Sequence, residues 1–168
     1  MNVTELLTEA YARLPDLVGS AVDGLTPPQL RWAPQLGANS IGWLVWHLTR
    51  IQDHHVAQLL GTGQLWTEGD RAGRFGLSAD PDDTGYGHTP EQVAAVAPQS
   101  PQVLVEYHEA VWDRTRSFLS GLAPADLDRV VDDSWDPPVT LGVRLVSVVD
   151  DSLQHAGQAG YVRGLLPG

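Results

Sequence analysis

Apolar positions recur at helical spacing in four long stretches of this chain. The first runs from about Asn2 to Val22, with Leu6, Leu7, Ala10, Tyr11, Leu14, Leu17, Val18 and Val22 at helical spacing. Pro15 falls inside that pattern and predicts a kink or break, because proline lacks the amide hydrogen and crowds the preceding turn. Gly24 ends the stretch, and Thr26-Pro27-Pro28 reads as a cap with proline in one further helical turn. The second helix is predicted from Asn39 or Ser40 to about Leu60, with Gly61 as its stop. Ile41, Leu44, Val45, Leu48, Ile51 and Val56 form most of its apolar stripe, widened by Trp43 and Trp46. The third is predicted from the Ser100-Pro101 cap to near Gly121, and Ala123 to Val131 reads as a further turn. The fourth is predicted from near Thr140 to near Gly164, with Leu141, Leu145, Val148, Ser152, Ala156 and Ala159 at core-like spacing. Strand alternation and internal repeats are not evident.

Between the second and third helices lies a connection from Gly61 to about Ser100, rich in Gly, Asp, Thr and Pro. Thr89-Pro90-Glu91-Gln92 predicts a short helix within it. Loops of this length inside one domain are usually functional or mobile. Trp135-Asp136-Pro137-Pro138 reads as a rigid loop. Four long helices with no strand pattern predict an all-α four-helix bundle.

The 168 residues suit one domain spanning 1–168, and 42% apolar content is enough for a real core. No uninterrupted apolar window of about 18 residues marks a membrane span. The opening Met1-Asn2-Val3-Thr4-Glu5 lacks the basic and apolar regions of a secretory signal, so a cytoplasmic protein is expected. Cysteine is absent, which excludes disulfides, protein thiolate metal sites and cysteine nucleophiles. A net charge of -11 repels phosphate backbones and disfavours nucleic acid as a partner. All ten basic residues are Arg, so Schiff-base chemistry and a P-loop, which need Lys, are excluded.

Candidate chemistry concentrates on the second and fourth helices. Asp151 and His155 are four apart and share one helix face, one turn from each other. A carboxylate and an imidazole so placed can bind one divalent metal, and a third ligand, His47, would complete a set that leaves positions open for water or substrate. Depth along the helices tests that grouping. His47 lies seven residues in from Ser40, roughly 10 Å, and His155 nine residues before Gly164, roughly 13 Å. Antiparallel helices put the two at nearly one level; parallel helices separate them by about 12 Å. A simple up-down-up-down order makes helices two and four parallel. The long connection can instead cross the bundle, giving an up-down-down-up order with helices two and four antiparallel.

The segments Ser40-Ile41-Gly42-Trp43-Leu44-Val45-Trp46-His47-Leu48 and Asp151-Ser152-Leu153-Gln154-His155-Ala156-Gly157-Gln158 resemble the DinB/YfiT-like superfamily of metalloenzymes, in the branch with mycothiol-dependent maleylpyruvate isomerase. The resemblance covers nearly the whole chain. It implies a four-helix bundle with the crossover above and a zinc or nickel ion held by His47, Asp151 and His155. Asp151 and His155 match that branch's carboxylate-then-His pair, with Asp where Glu is usual. The resemblance further implies a low-molecular-weight thiol, mycothiol or similar, as cosubstrate, activated as a thiolate on the metal to attack a small-molecule electrophile in S-transfer or isomerisation. Hydrolysis by metal-activated water at the same site is an alternative, as is a non-catalytic binding protein with a weak or vacant site. Homodimer formation fits the Trp- and Leu-bearing faces.

Other residues carry a bland reading beside a functional one. His54, seven residues after His47, is a candidate fourth ligand or acid-base group, or else a polar contact one turn too far away. Arg50 and Arg163 can bind a substrate or thiol carboxylate, or else form salt bridges to Asp53 and Asp151. Gln158, three after His155, can orient that ligand. Asp150 replaces Asp151 if the helix register differs. Trp43, Trp46 and Trp66 line a pocket mouth or, as large aromatics usually do, the core. His55 is expected to face solvent; His108 can approach the bundle from the third helix, but its neighbours Glu106 and Glu109 point to an exposed face. His88 covers a pocket or is an ordinary loop residue. Asp70, Asp80, Asp82 and Asp83 read as a solvated loop, since EF-hand spacing is missing.

Overall fold

The computed structural model describes residues 1–167. The first predicted helix is two: α1 (Val3–Tyr11) and α2 (Leu14–Val22), broken where Pro15 enters the first turn of the second. Asn2 caps α1, its side chain accepting from the Glu5 amide while Glu5 reaches back to the Asn2 amide. A single turn, α3 (Pro27–Arg31), follows Thr26.

The central helix, α4 (Ile41–Leu60), begins where Ser40 Oγ accepts from the Trp43 amide and ends at Gly61 in the left-handed conformation, φ 66°. After two 3-10 turns at Leu65–Thr67 and Ala72–Phe75 come α5 (Pro90–Ala95) and α6 (Pro101–Ser120). A 3-10 turn at Pro124–Asp128 leads to a small antiparallel ribbon, β1 (Val130–Asp132) with β2 (Val139–Thr140), and then α7 (Leu141–Gly164). The ribbon departs from the all-helical reading. Strands of three and two residues are too short to display an alternation.

Side-chain pairs give the helix directions. Tyr11 donates to the Leu145 carbonyl and Arg163 to the Ala21 carbonyl, so α1–α2 and α7 advance together. Thr49 meets His108, Gln52 donates to Thr115, and Leu60 shares a cleft with Phe118, so α4 and α6 also advance together. His47 stands beside His155, whereas Gln58 and Leu59 share a cleft with Arg144. Along that seam α4 and α7 run in opposite senses.

The core has two lobes. One gathers Trp43, Trp46 and Leu48 of α4 with Leu104 and Tyr107 of α6 and Ala156 and Ala159 of α7. The other gathers Tyr11 and Leu14 with Leu141, Leu145 and Val148. Trp66, Phe75, Val93 and Val96 are buried in the first lobe, so the long connection is packed into the core at several points. Trp66 meets Trp46, Phe75 and Tyr107 at centroid distances of 5.9, 5.5 and 5.5 Å. Among the described residues no helix is long and apolar enough to cross a membrane.

Candidate metal centre

His47, Asp151 and His155 come together where α4 faces α7. Each offers one ligand atom, and these atoms all lie within 4.8 Å of one another. His47 is buried at 4% exposure, while the Asp151 and His155 side chains are 33% and 18% exposed, so the cluster opens towards solvent on its α7 side.

Hydrogen bonds decide which ring atoms are free. The Nδ1 atom of His47 contacts the Thr84 carbonyl, and Nδ1 of His155 contacts the Asp151 carbonyl at 2.8 Å. A carbonyl only accepts, so each Nδ1 carries a proton, and in the neutral ring each Nε2 keeps its lone pair. This is how imidazole ligands are commonly fixed on a metal. Asp151 Oδ2 is enclosed; its contact to His155 Nδ1 is long, 3.5 Å, and no hydrogen bond satisfies it, a costly state for a carboxylate oxygen unless a cation faces it. Two imidazole nitrogens and one carboxylate oxygen not satisfied by a hydrogen bond fit a divalent metal.

The electrostatics differ between the two rings. Burial holds His47 below its ordinary range, opposed by the Thr84 hydrogen bond, with the nearby His155 pushing further down. The Asp151 side chain raises His155, against partial burial. Trp43 lies flat against His47, ring centroids 4.6 Å apart at 13°, and walls one side of the cluster.

The connection contributes directly to this centre, and sequence reasoning missed its part. Thr84 acts through a backbone carbonyl, which carries no side-chain signature. Gly85 packs so closely that a Cβ there would sit 2.8 Å from the Trp46 ring and 2.9 Å from His47 Nδ1, at a φ of 90°. The visible signal was the Asp-Pro-Asp-Asp-Thr-Gly-Tyr-Gly run itself, dense in turn formers. Asp83 belongs to the centre's support, unlike Asp70, Asp80 and Asp82, which are exposed. Its Oδ1 accepts from the Gly85 amide and from His88 Nε2 at 2.8 Å. His88 is a packed residue: Nδ1 accepts from Trp43 Nε1, and its ring stacks on Trp46.

Several other candidates lie elsewhere. Arg50 is fully buried against Asp53, 3.8 Å away, so it is closed to a substrate carboxylate. Arg163 reaches the Ala21 carbonyl on α2 rather than the cluster. Gln158 is exposed and makes no side-chain hydrogen bond among the described residues. His54 accepts from Gln64 and packs edge-on against His55, in the polar-contact role. Asp150 is exposed and accepts from Gln154, so the register favours Asp151.

Two expectations of exposure are corrected. His108 is buried at 1%, and desolvation lowers it to about 4. His55 is half-buried beside Arg144, with burial foremost in lowering it to about 4. Trp43, Trp46 and Trp66 are all core residues, at 5%, 0% and 1% exposure.

A family model described as the DinB superfamily matches residues 7–159. The crystal structure of a conserved protein from Enterococcus faecalis superposes with a TM-score of 0.89 at 33% identity, covering 98% of this chain and 97% of that one. A search of curated proteins gave no match. The extent of the family match, together with this fold, establishes that the chain belongs to the DinB superfamily.

Proposed function

We propose that this protein is a divalent-metal-dependent enzyme acting on a small-molecule electrophile with a low-molecular-weight thiol of the mycothiol type, in S-transfer or isomerisation. His47, Asp151 and His155 are the residues that hold the metal. The observation that carries the reading is the donor set: two imidazoles tied through Nδ1 to carbonyls, and an enclosed carboxylate oxygen that no hydrogen bond satisfies. When bound, zinc or nickel would supply Lewis acidity, lowering the pKa of a thiol at neutral pH.

The chain's own residues divide the remaining work. Trp43 and the packed Gly85 seal the α4 side of His47 against water. The partly exposed Asp151 and His155 leave the α7 side as the way in for substrate. Cysteine is absent from the chain, so a thiol nucleophile must come from outside.

Metal analysis of protein purified without an affinity tag tests the reading first. The expected result is close to one zinc or nickel per chain, abolished by His47→Ala and by His155→Ala. Metal-free protein that gains no thermal stability from either ion would overturn it. An assay of electrophile consumption then separates the chemistries: consumption that requires mycothiol supports transfer or isomerisation, and consumption without any thiol replaces that reading with hydrolysis.

A further inference from the structure

The buried Arg50 has more partners than a salt bridge to Asp53 requires. Its Nε donates to the Asp83 carbonyl at 3.0 Å and Nη2 to the Pro81 carbonyl at 3.0 Å. Nη1 donates to Gln64 Oε1 at 2.7 Å, and Gln64 in turn donates to the Pro81 carbonyl. One guanidinium on α4 thus grips the connection at Pro81 and Asp83, three residues and one residue before Thr84. A planar fork suits this task, since it presents several donors in fixed directions to several carbonyls.

The Asp83 side chain ties the same turn to the Trp43 side of the cluster. His88 bridges Asp83 Oδ1 and Trp43 Nε1, and the Gly85 amide closes onto Asp83. Between the two grips, the Thr84 carbonyl points at His47 Nδ1. An imidazole without that acceptor can place its proton on either nitrogen, and only the Nδ1–H form leaves Nε2 able to ligate.

The geometry points to the Asp80–Gly85 turn, clamped by Arg50, as the device that positions His47: it holds the Thr84 carbonyl on Nδ1 and so commits Nε2 to the metal. Arg50 is a positioning residue, acting through the connection and touching no substrate. The inference rests on the metal reading for its purpose, but the ring state it specifies exists without metal. His155 supplies an internal control, because its Nδ1 is held by the Asp151 carbonyl of its own helix and does not depend on the turn.

Two variants break the device at opposite ends. Arg50→Lys keeps a positive charge beside Asp53 and loses the fork. Gly85→Ala inserts a Cβ against His47 and Trp46 while leaving the buried ion pair whole. Long-range nitrogen–proton spectra of the metal-free, 15N-labelled protein at pH 8 report which ring nitrogen is protonated. The wild type is expected to show Nδ1–H at both His47 and His155. In each variant His47 should become a tautomer mixture while His155 stays Nδ1–H, and zinc affinity from chelator competition should fall 10- to 100-fold. If Arg50→Lys fails to fold, Gly85→Ala decides the matter. A folded Gly85→Ala with His47 still Nδ1–H, and zinc affinity within threefold of wild type, would overturn the inference. A change at both histidines would also overturn it, since that reports general loosening. A wild type with the expected tautomers and no zinc affinity would contradict the metal reading while supporting the positioning.

Discussion

At His47 and His155 one device recurs: a ring Nδ1–H donates to a backbone carbonyl and leaves Nε2 over. The His155 half was open to sequence reasoning, because the pair partner four residues back is also the helical carbonyl within reach. The Thr84 half was not, since its partner is 37 residues away and contributes main chain only. His108 was misread for a different reason. Glu106 and Glu109 lie about 200° and 100° around the helix from it and say nothing about its face. Leu104 and Val111, at four before and three after, share that face and are buried. Burial makes a pH prediction. The His108 pKa lies at about 4 when folded and near 6.5 when unfolded, so the unfolded chain takes up the proton first as pH falls. The corresponding stability is fully present above about pH 6.5 and is lost between there and about pH 4, amounting to at most roughly 3 kcal/mol. Urea denaturation of wild type and His108→Leu at pH 7.5 and pH 4.5 should show the wild type losing more stability than the variant. Equal losses would count against a buried neutral imidazole.

Element boundaries were legible where local chemistry sets them. Ser40 and Gly61 bracket α4 because one supplies a side-chain acceptor for an orphan amide and the other tolerates a positive φ. Pro15 divides α1 from α2 for an equally local reason. What local chemistry could not reveal is how deeply α4 is enclosed. It packs against α6, α7 and the connection at once, so Arg50, Gln52 and Asp53 are buried despite their polarity. That is why His55 read as a solvated residue, and why the sequence left Arg50 open between a substrate contact and the salt bridge to Asp53 that it forms. Asp53 shows what the enclosure demands. It accepts from the Leu65 and Trp66 amides and from the Tyr107 hydroxyl, with Arg50 alongside. Asp53→Ala removes those acceptors and leaves Arg50 buried without its anion, an expected cost of about 3–5 kcal/mol. Chemical denaturation measures it, and a loss below about 1 kcal/mol would show that the connection does not depend on this anchor.

On the scale of the whole molecule, depth along the helices is what assembles the centre. His47 is roughly 10 Å from one end of its helix and His155 roughly 13 Å from the opposite end of its own, so opposed helices bring them level. The pairings along α4 and α7 run in that opposed sense, and the ring centroids of His47 and His155 are 4.7 Å apart. The length of the Gly61–Ser100 stretch made a crossing of the bundle open to sequence reasoning. The second role of the stretch was not: it buries Trp66 and Phe75 in the core and delivers a carbonyl to a candidate ligand. The central claim is that His47, Asp151 and His155 share one divalent metal. Crystals of tag-free protein loaded with zinc, measured on both sides of the zinc absorption edge, test it most directly. One anomalous peak is expected among those three side chains. A peak at other residues, or none from protein that carries stoichiometric zinc, would contradict it.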